Sequence, residues 1–410
     1  MRTNTFRHHA LHAFALTGLV LSAGAHAESA SLAEAITGGD AYLNFNTRYE
    51  YVDQDNPLDE GSALTLLTRF GYKTGTWNKF SAHVEFEDSR ILLGFDEYAV
   101  PPTGFNTGEF SVIADPETTE LDQAYVQYAD AETGFSLRVG RQIVSYDSQR
   151  FVGAVPWRQD WQTFDGVHAE YTGIDKLKIK AGHLYKRNRI FATDGDLDSS
   201  DNLIDITYQT PFGTLGGYAY LLEVDSAVNN SLDTVGVRFT GSQPIGENKL
   251  SYKFEYATQD AEQGAADFDA DYLLAEGALA LKPVTIKLGL EVLGSDDGQY
   301  GFATPLATLH KFNGWADLFL ATPAAGLEDI YVAVSGKFQK FGYSVIYHDF
   351  TANESLAGAD DLGSEINLLL TRPLGDRYKF GFKYADYSAG SDSFATVDTE
   401  RLWLWLSAKF

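Results

Sequence analysis

An arginine beside an aromatic ring suits the capture of an anion, because the planar guanidinium offers a carboxylate or phosphate a fork of hydrogen-bond donors. The stretch from Leu137 to Tyr171, LRVGRQIVSYDSQRFVGAVPWRQDWQTFDGVHAEY, holds Arg138, Arg141, Arg150 and Arg158, with Phe151, Trp157 and Trp161 among them. It reads as strand, long loop, strand. The rest of the chain is acidic, with a formal net charge of -26, so this cluster needs a local reason. Either the arginines face a solute path, with Trp157 and Trp161 stacking on a sugar or anchoring the loop, or each pairs with a carboxylate and braces the fold.

Other chemistry is poorly represented. The chain has no GxSxG elbow, no HExxH helix and no P-loop. With no cysteine it can hold neither a thiolate metal site nor a disulfide. Asp194, Asp196 and Asp198 begin like a calcium loop, but Ser199 stands where the turn wants glycine, so an acidic surface loop is expected. No cofactor and no metal are expected. The one catalytic alternative is a hydrolase built on His168 or His183, which lie on neighbouring strands among hydroxyls and acids.

The elements that would carry these residues come from the hydropathy pattern. Arg2 and Arg7, the apolar run Ala10 to Ala23 and the Ala25-His26-Ala27 ending form a secretory signal peptide over 1–27, leaving 28–410 as a single domain. Beyond it no apolar stretch approaches the ~20 residues of a spanning helix. Instead residues alternate. In Asp40 to Val52, Leu43, Phe45, Tyr49 and Tyr51 share one parity and Asn44, Asn46, Arg48 and Glu50 the other.

Repetition of this pattern predicts about eighteen strands in an all-β, transmembrane antiparallel barrel with short periplasmic turns and long extracellular loops. Joints such as KTGTWN, DAETG, PFG and PLGD alternate with long polar stretches. The segment Gly294 to Glu328 is read as one long outer loop folding back on the barrel, which leaves both termini periplasmic. In the last strand Leu402, Leu404, Leu406, Ala408 and Phe410 face outward and Trp403 and Trp405 inward, and the terminal aromatic fits recognition by the barrel-insertion machinery.

A barrel this wide must hold water, a plug or a folded loop. Inward parity places Arg48, Arg69, Arg138, Lys178, Lys180, Arg238, Lys253, Lys287 and Lys383 on its inner wall, with Glu50, Glu85, His168, Glu170, Asp205 and Glu255 among them. Arg141 has outward parity; a bulge at Gly140 is expected to turn it inward, so that it meets Arg138, Arg150 and Arg158 at one constriction. The expected pore residues are Arg48, Arg69, Arg138, Arg141, Arg150, Trp157, Arg158, Lys180 and Arg238.

The run LRVGRQ, an arginine-bearing loop with a tryptophan, then QTFDGV, resembles the alginate-export family of outer-membrane barrels. HKFNGWADLFLATPAAGLEDIY, from His310 to Tyr331, is similar to a second segment of that family. The resemblance implies an eighteen-stranded barrel with a lumen rich in arginine and lysine, and gives Arg138, Arg141, Arg150 and Arg158 the role of selectivity residues. The expectation is a Gram-negative outer-membrane porin for passive passage of anionic or hydroxylated solutes, narrowed by the Tyr146 to Phe164 loop. The alternative is an exporter of an acidic polysaccharide. Expected partners are membrane lipid, lipopolysaccharide, the solute and the barrel-insertion machinery, with no nucleic acid; monomer and trimer both stay open.

Overall fold

A computed structural model describes residues 29–228 and 230–410; the signal peptide expected at 1–27 lies outside the described residues. After a short helix α1 (Leu32–Thr37), the first half of the chain forms β1 (Asp40–Gln54), β2 (Gly61–Lys73), β3 (Phe80–Glu97), β4 (Thr118–Asp130), β5 (Phe135–Gln142), β6 (Thr163–Tyr171), β7 (Leu177–Asn188), β8 (Leu197–Thr210) and β9 (Gly213–Glu223). The second half forms β10 (Asn230–Ile245), β11 (Asn248–Gln263), β12 (Ala266–Leu281), β13 (Val284–Leu293), the small hairpin β14 (Ser295–Asp296) and β15 (Tyr300–Gly301), then β16 (Leu327–Phe338), β17 (Phe341–Leu356), β18 (Ala359–Leu374), β19 (Tyr378–Ser388) and β20 (Thr399–Lys409).

Eighteen of these strands make one sheet in which each pairs antiparallel with its neighbours in sequence. The sheet closes where β1 meets β20, from Asn44 opposite Lys409 to Gln54 opposite Thr399. Closure leaves this sheet without an edge strand, so the strands satisfy their backbone groups within the wall except at a few register shifts. Period-two alternation then sorts the side chains. Phe70, Phe86, Val126, Val139, Val237, Phe254, Leu288 and Ile330 are exposed on the outer face, as are Leu404, Leu406 and Phe410 of the last strand. Trp403 faces inward and is fully buried.

What buries it is the filling of the lumen. The segments 98–117, 143–162 and 294–326 fold into the barrel, and the apolar core is the layer between them and the wall: Phe151 packs edge-on against Tyr272 and Phe302 at 5.2 and 6.0 Å, and Phe319 lies tilted against Phe350 at 4.7 Å. Two of these loops also join by backbone. Gly153 N–H donates to Leu306 O at 2.8 Å and Thr308 N–H to Gln149 O at 3.0 Å. As the alternation of joints required, Asn313 to Ala321 forms no strand.

Two expectations need correction. The polar run TANESLAGADDLG, between the strands expected at Phe341 to Phe350 and Glu365 to Arg372, reads from the sequence as a long outer loop, but β17 and β18 continue through it as a hairpin to Leu356 and Ala359. Its turn residues Ala357 and Gly358 both take positive φ, 53° and 84°, the geometry that a two-residue hairpin turn requires. The expected bulge at Gly140 is also missing. Gly140 has φ 123°, yet the register runs on unbroken, with Tyr125 opposite Gly140 and Ala124 opposite Arg141.

Candidate functional site

Arg141 therefore keeps its outward parity. Its Nε donates to Asp165 at 2.8 Å and its Nη1 to Leu121 O at 3.1 Å, a paired position at the loop-bearing rim rather than in the lumen. The four arginines of the stretch do not converge. Arg138 stands on the wall, where Nε donates to Gln127 Oε1 at 3.0 Å. Arg150 reaches β13, donating to Glu291 at 2.8 Å and to Asn313 Oδ1 at 3.0 Å. Arg158 crosses to β1. Each sits where its own backbone segment delivers it, and the inward loop spreads its two across the lumen.

At Arg158 three loops and two strands meet. The Arg158 guanidinium pairs with Glu50 of β1 at 3.1 Å, with Asp317 of the 294–326 loop at 3.0 Å and, more loosely, with Asp115 of the 98–117 loop at 3.9 Å. Arg48 of β1 donates to the Asp115 carboxylate and to Trp157 O. Arg401 of β20 lies 3.4 Å from Glu50 and 3.5 Å from Asp317. Three arginines thus balance three carboxylates, all with buried side chains. Burial by itself would raise the Asp317 carboxyl, but the His310 hydrogen bond and the Arg401 and Arg158 guanidiniums hold it well below the usual carboxylate range.

A second chain of contacts fastens the same loop. Asp317 Oδ1 lies 2.7 Å from His310 Nδ1, and His310 Nε2 lies 2.6 Å from Lys383 Nζ. Burial depresses His310 to about 3, so it is neutral, with Nδ1–H donating to Asp317 and Nε2 accepting from Lys383. Trp157 stacks on His310 at 4.9 Å and stands edge-on to Trp403 and Trp405, so it anchors the loop. The turn that presents Asp317 needs Gly314: at φ 84° its α-carbon lies against the Glu365 carboxylate, whose Oε1 accepts from Trp315 and Ala316 N–H.

The remaining expected residues are also mostly paired. Arg69 bonds Glu87 at 3.1 Å and the Asp122 carboxylate, and stacks over Trp161 at 3.6 Å. Arg238 bonds Asp205 at 2.6 Å. Arg138 and Lys180 differ, since neither is in an ion pair among the described residues; Lys180 lies 5.1 Å over the Tyr146 ring. His168 and His183 do not meet: His168 contacts Tyr146 Oη at 3.1 Å inside, whereas His183 contacts Asn202 at 3.0 Å on the exposed face. Parity therefore separates the two histidines of the hydrolase alternative.

Sequence reasoning missed Asp115, Asp317, His310 and Arg401. Asp317 and His310 lie in the HKFNGWAD segment, so that segment was a signal; nothing distinguished Asp115 from the other loop acids. Asp160, also in the inward loop, accepts from Ala192 N–H at 2.8 Å. Burial pushes its carboxyl up to about 8, against the opposing hydrogen bond with Glu87. Because the folded chain keeps this proton while the unfolded chain loses it near its ordinary value of about 4, stability falls as pH rises from there toward 8. Asp160→Asn should flatten that fall and raise the unfolding temperature at pH 8 by a few degrees, read by heating in detergent.

Residues 44–292 match the alginate export family. Among solved structures, OccAB4 of Acinetobacter baumannii superposes with a TM-score of 0.73 at 15% identity, over 91% of this chain and 98% of that one. OccK3 (OpdO) of Pseudomonas aeruginosa gives 0.70 at 14%, over 92% and 97%. OpdK of Pseudomonas aeruginosa, solved with vanillate, gives 0.69 at 15%, over 90% and 98%. At such identities the likeness is one of fold. No curated protein matches the sequence. An eighteen-stranded closed barrel and a family match over more than half of its length make this chain an outer-membrane β-barrel that belongs to the alginate export family.

Proposed function

We propose that the protein is a passive outer-membrane channel for small anionic or hydroxylated solutes, narrowed by its inward loops. Residues 28–410 form the barrel domain once a signal peptide is removed, with the short turns and both termini in the periplasm. One observation carries the anion preference. Lys73, Arg138 and Lys180 face the lumen along the arc from β2 to β7 without an ion pair among the described residues, each beside a tyrosine ring: Tyr42 at 5.8 Å, Tyr125 at 5.4 Å and Tyr146 at 5.1 Å.

Charges already neutralised by a buried partner contribute little field to a passing ion, whereas half-buried cations beside low-dielectric walls focus it. The selectivity role therefore passes from Arg48, Arg69, Arg150, Arg158 and Arg238 to this arc, where Arg138 and Lys180 remain from the sequence expectation. The paired arginines set the width instead. The structural relative OpdK was solved with vanillate, an aromatic carboxylate. Export of an acidic polysaccharide, the activity in the family's description, would require the pinned loops to leave the lumen.

Proteoliposomes test the reading. In isotonic sodium gluconate they should swell at a rate set by protein content, and in dextran they should not. Absence of swelling in every small solute would refute the channel.

A further inference from the structure

We infer that the lumen carries a pyranoside-binding subsite directly beneath the loops, with the Trp405 ring as its floor and Trp157, Asn46 and Asn44 as its sides. It rests on the channel reading for the route by which a sugar arrives, and not for binding itself. The floor is built by a glycine on the next strand. Trp405 lies opposite Gly381, and a Cβ placed on Gly381 would fall inside the indole ring, so the indole lies flat against the wall. A ring held this way turns its other face to the lumen.

The loops stop one step above it. Trp403, two residues earlier on the same face of β20, is fully buried, whereas Trp405 keeps part of its surface exposed. Trp157 stands at 89° to Trp405 with ring centres 5.3 Å apart; its own ring is taken by His310 stacked at 4.9 Å and by the Arg48 guanidinium at 4.9 Å, so it borders the corner by its edge. Toward the short-turn end the wall becomes polar: Asn46 faces Ser407 across the β1 and β20 pairing, and Asn44 faces Lys409. The Asn46 amide nitrogen donates to Gln159 Oε1 at 3.1 Å, which leaves its own oxygen free to accept. Asn44 has no side-chain hydrogen bond among the described residues, so its amide is available on both sides.

A pyranose ring presents a patch of C–H groups on one face and hydroxyls around its rim. The negative face of an indole attracts the first, and fixed amides exchange hydrogen bonds with the second. An open-chain polyol offers the same hydroxyls without the flat face. The corner thus selects ring sugars over linear ones, a preference that the cationic arc on the neighbouring strands does not supply.

Calorimetric titration of the purified barrel in detergent with maltotriose, and with sorbitol as the ring-free control, reads binding without requiring conduction. Maltotriose should bind with a Kd of roughly a millimolar and sorbitol should not. Trp405→Ala should weaken maltotriose about tenfold, Trp405→Phe should retain most of the affinity, and Asn44→Ala should lower it several-fold. Heat-modifiable migration on gels verifies that each variant is folded. Equal binding of sorbitol, no binding of maltotriose, or unchanged affinity in both folded Trp405→Ala and Asn44→Ala would overturn the subsite.

Ion current across a planar bilayer separates the two readings. Conduction by a barrel that does not bind maltotriose refutes the subsite alone. Binding by a barrel that never conducts refutes the channel alone. Maltotriose should interrupt the wild-type current and leave that of Trp405→Ala largely steady.

Discussion

Replacing Arg158 by alanine should release the inward loops and raise single-channel conductance several-fold. The substitution leaves Glu50, Asp115 and Asp317 buried with one cation fewer, and breaking a buried pair in this way costs about 3–5 kcal/mol. That energy is not spread over the barrel. The wall has its own ladder of backbone hydrogen bonds around a closed sheet, whereas the 98–117 and 294–326 loops meet Arg158 directly through Asp115 and Asp317. The loops should yield first.

Limited proteolysis gives a second reading of the same event, since the folded loop protects Arg150 and Arg158 from trypsin and a released loop exposes Arg150 and Lys311. Arg158→Lys should behave more like the alanine variant than like the wild type. A single ammonium cannot reproduce a guanidinium that donates to Glu50 and Asp317 from two nitrogens. Unchanged conductance and unchanged cleavage in Arg158→Ala would show that the loops are held by their apolar packing alone.

The double variant Arg138→Glu, Lys180→Glu should lose anion preference and turn weakly cation-selective. Both residues face the lumen half-buried and without ion pairs among the described residues, so reversal changes the wall charge by four units while leaving the buried network alone. At physiological salt the screening length is about 8 Å, so an ion passing within that distance of the wall still feels it. Reversing Lys178 should matter less, because Glu170 already pairs with it at 2.9 Å. A double variant with wild-type ion preference would remove the arc from selectivity.

Much of the barrel was legible because lipid and water impose period two on every strand. The fully alternating β20 and the alternation of short and long joints were enough to count eighteen strands and to keep NGWADLFLA out of the wall. Parity also placed Arg48, Arg69, Arg138, Lys180 and Arg238 on the inner face. It could not say which of them had partners. Arg48 is neutralised by Asp115, which lies sixty-seven residues away in a loop whose return into the lumen leaves no periodic trace.

Arg141 shows a different limit. A glycine can relieve local twist with an unusual φ and keep register, so Gly140 signalled irregular backbone without implying a change of face. TANESLAGADDLG failed for a related reason: above the membrane a hairpin no longer needs an apolar face, and polar strands read as loop. Trp405 was visible as an inward tryptophan, but its flat pose depends on Gly381 of the neighbouring strand, a cross-strand pairing that only the register reveals.

The proposed anion preference of the lumen is tested most directly by the zero-current potential of the wild-type protein in a planar bilayer under a steep potassium chloride gradient. The arc of Lys73, Arg138 and Lys180, without an ion pair among the described residues, predicts the sign for which chloride is the more permeant ion. A potential of the opposite sign, with potassium the more permeant, would contradict it.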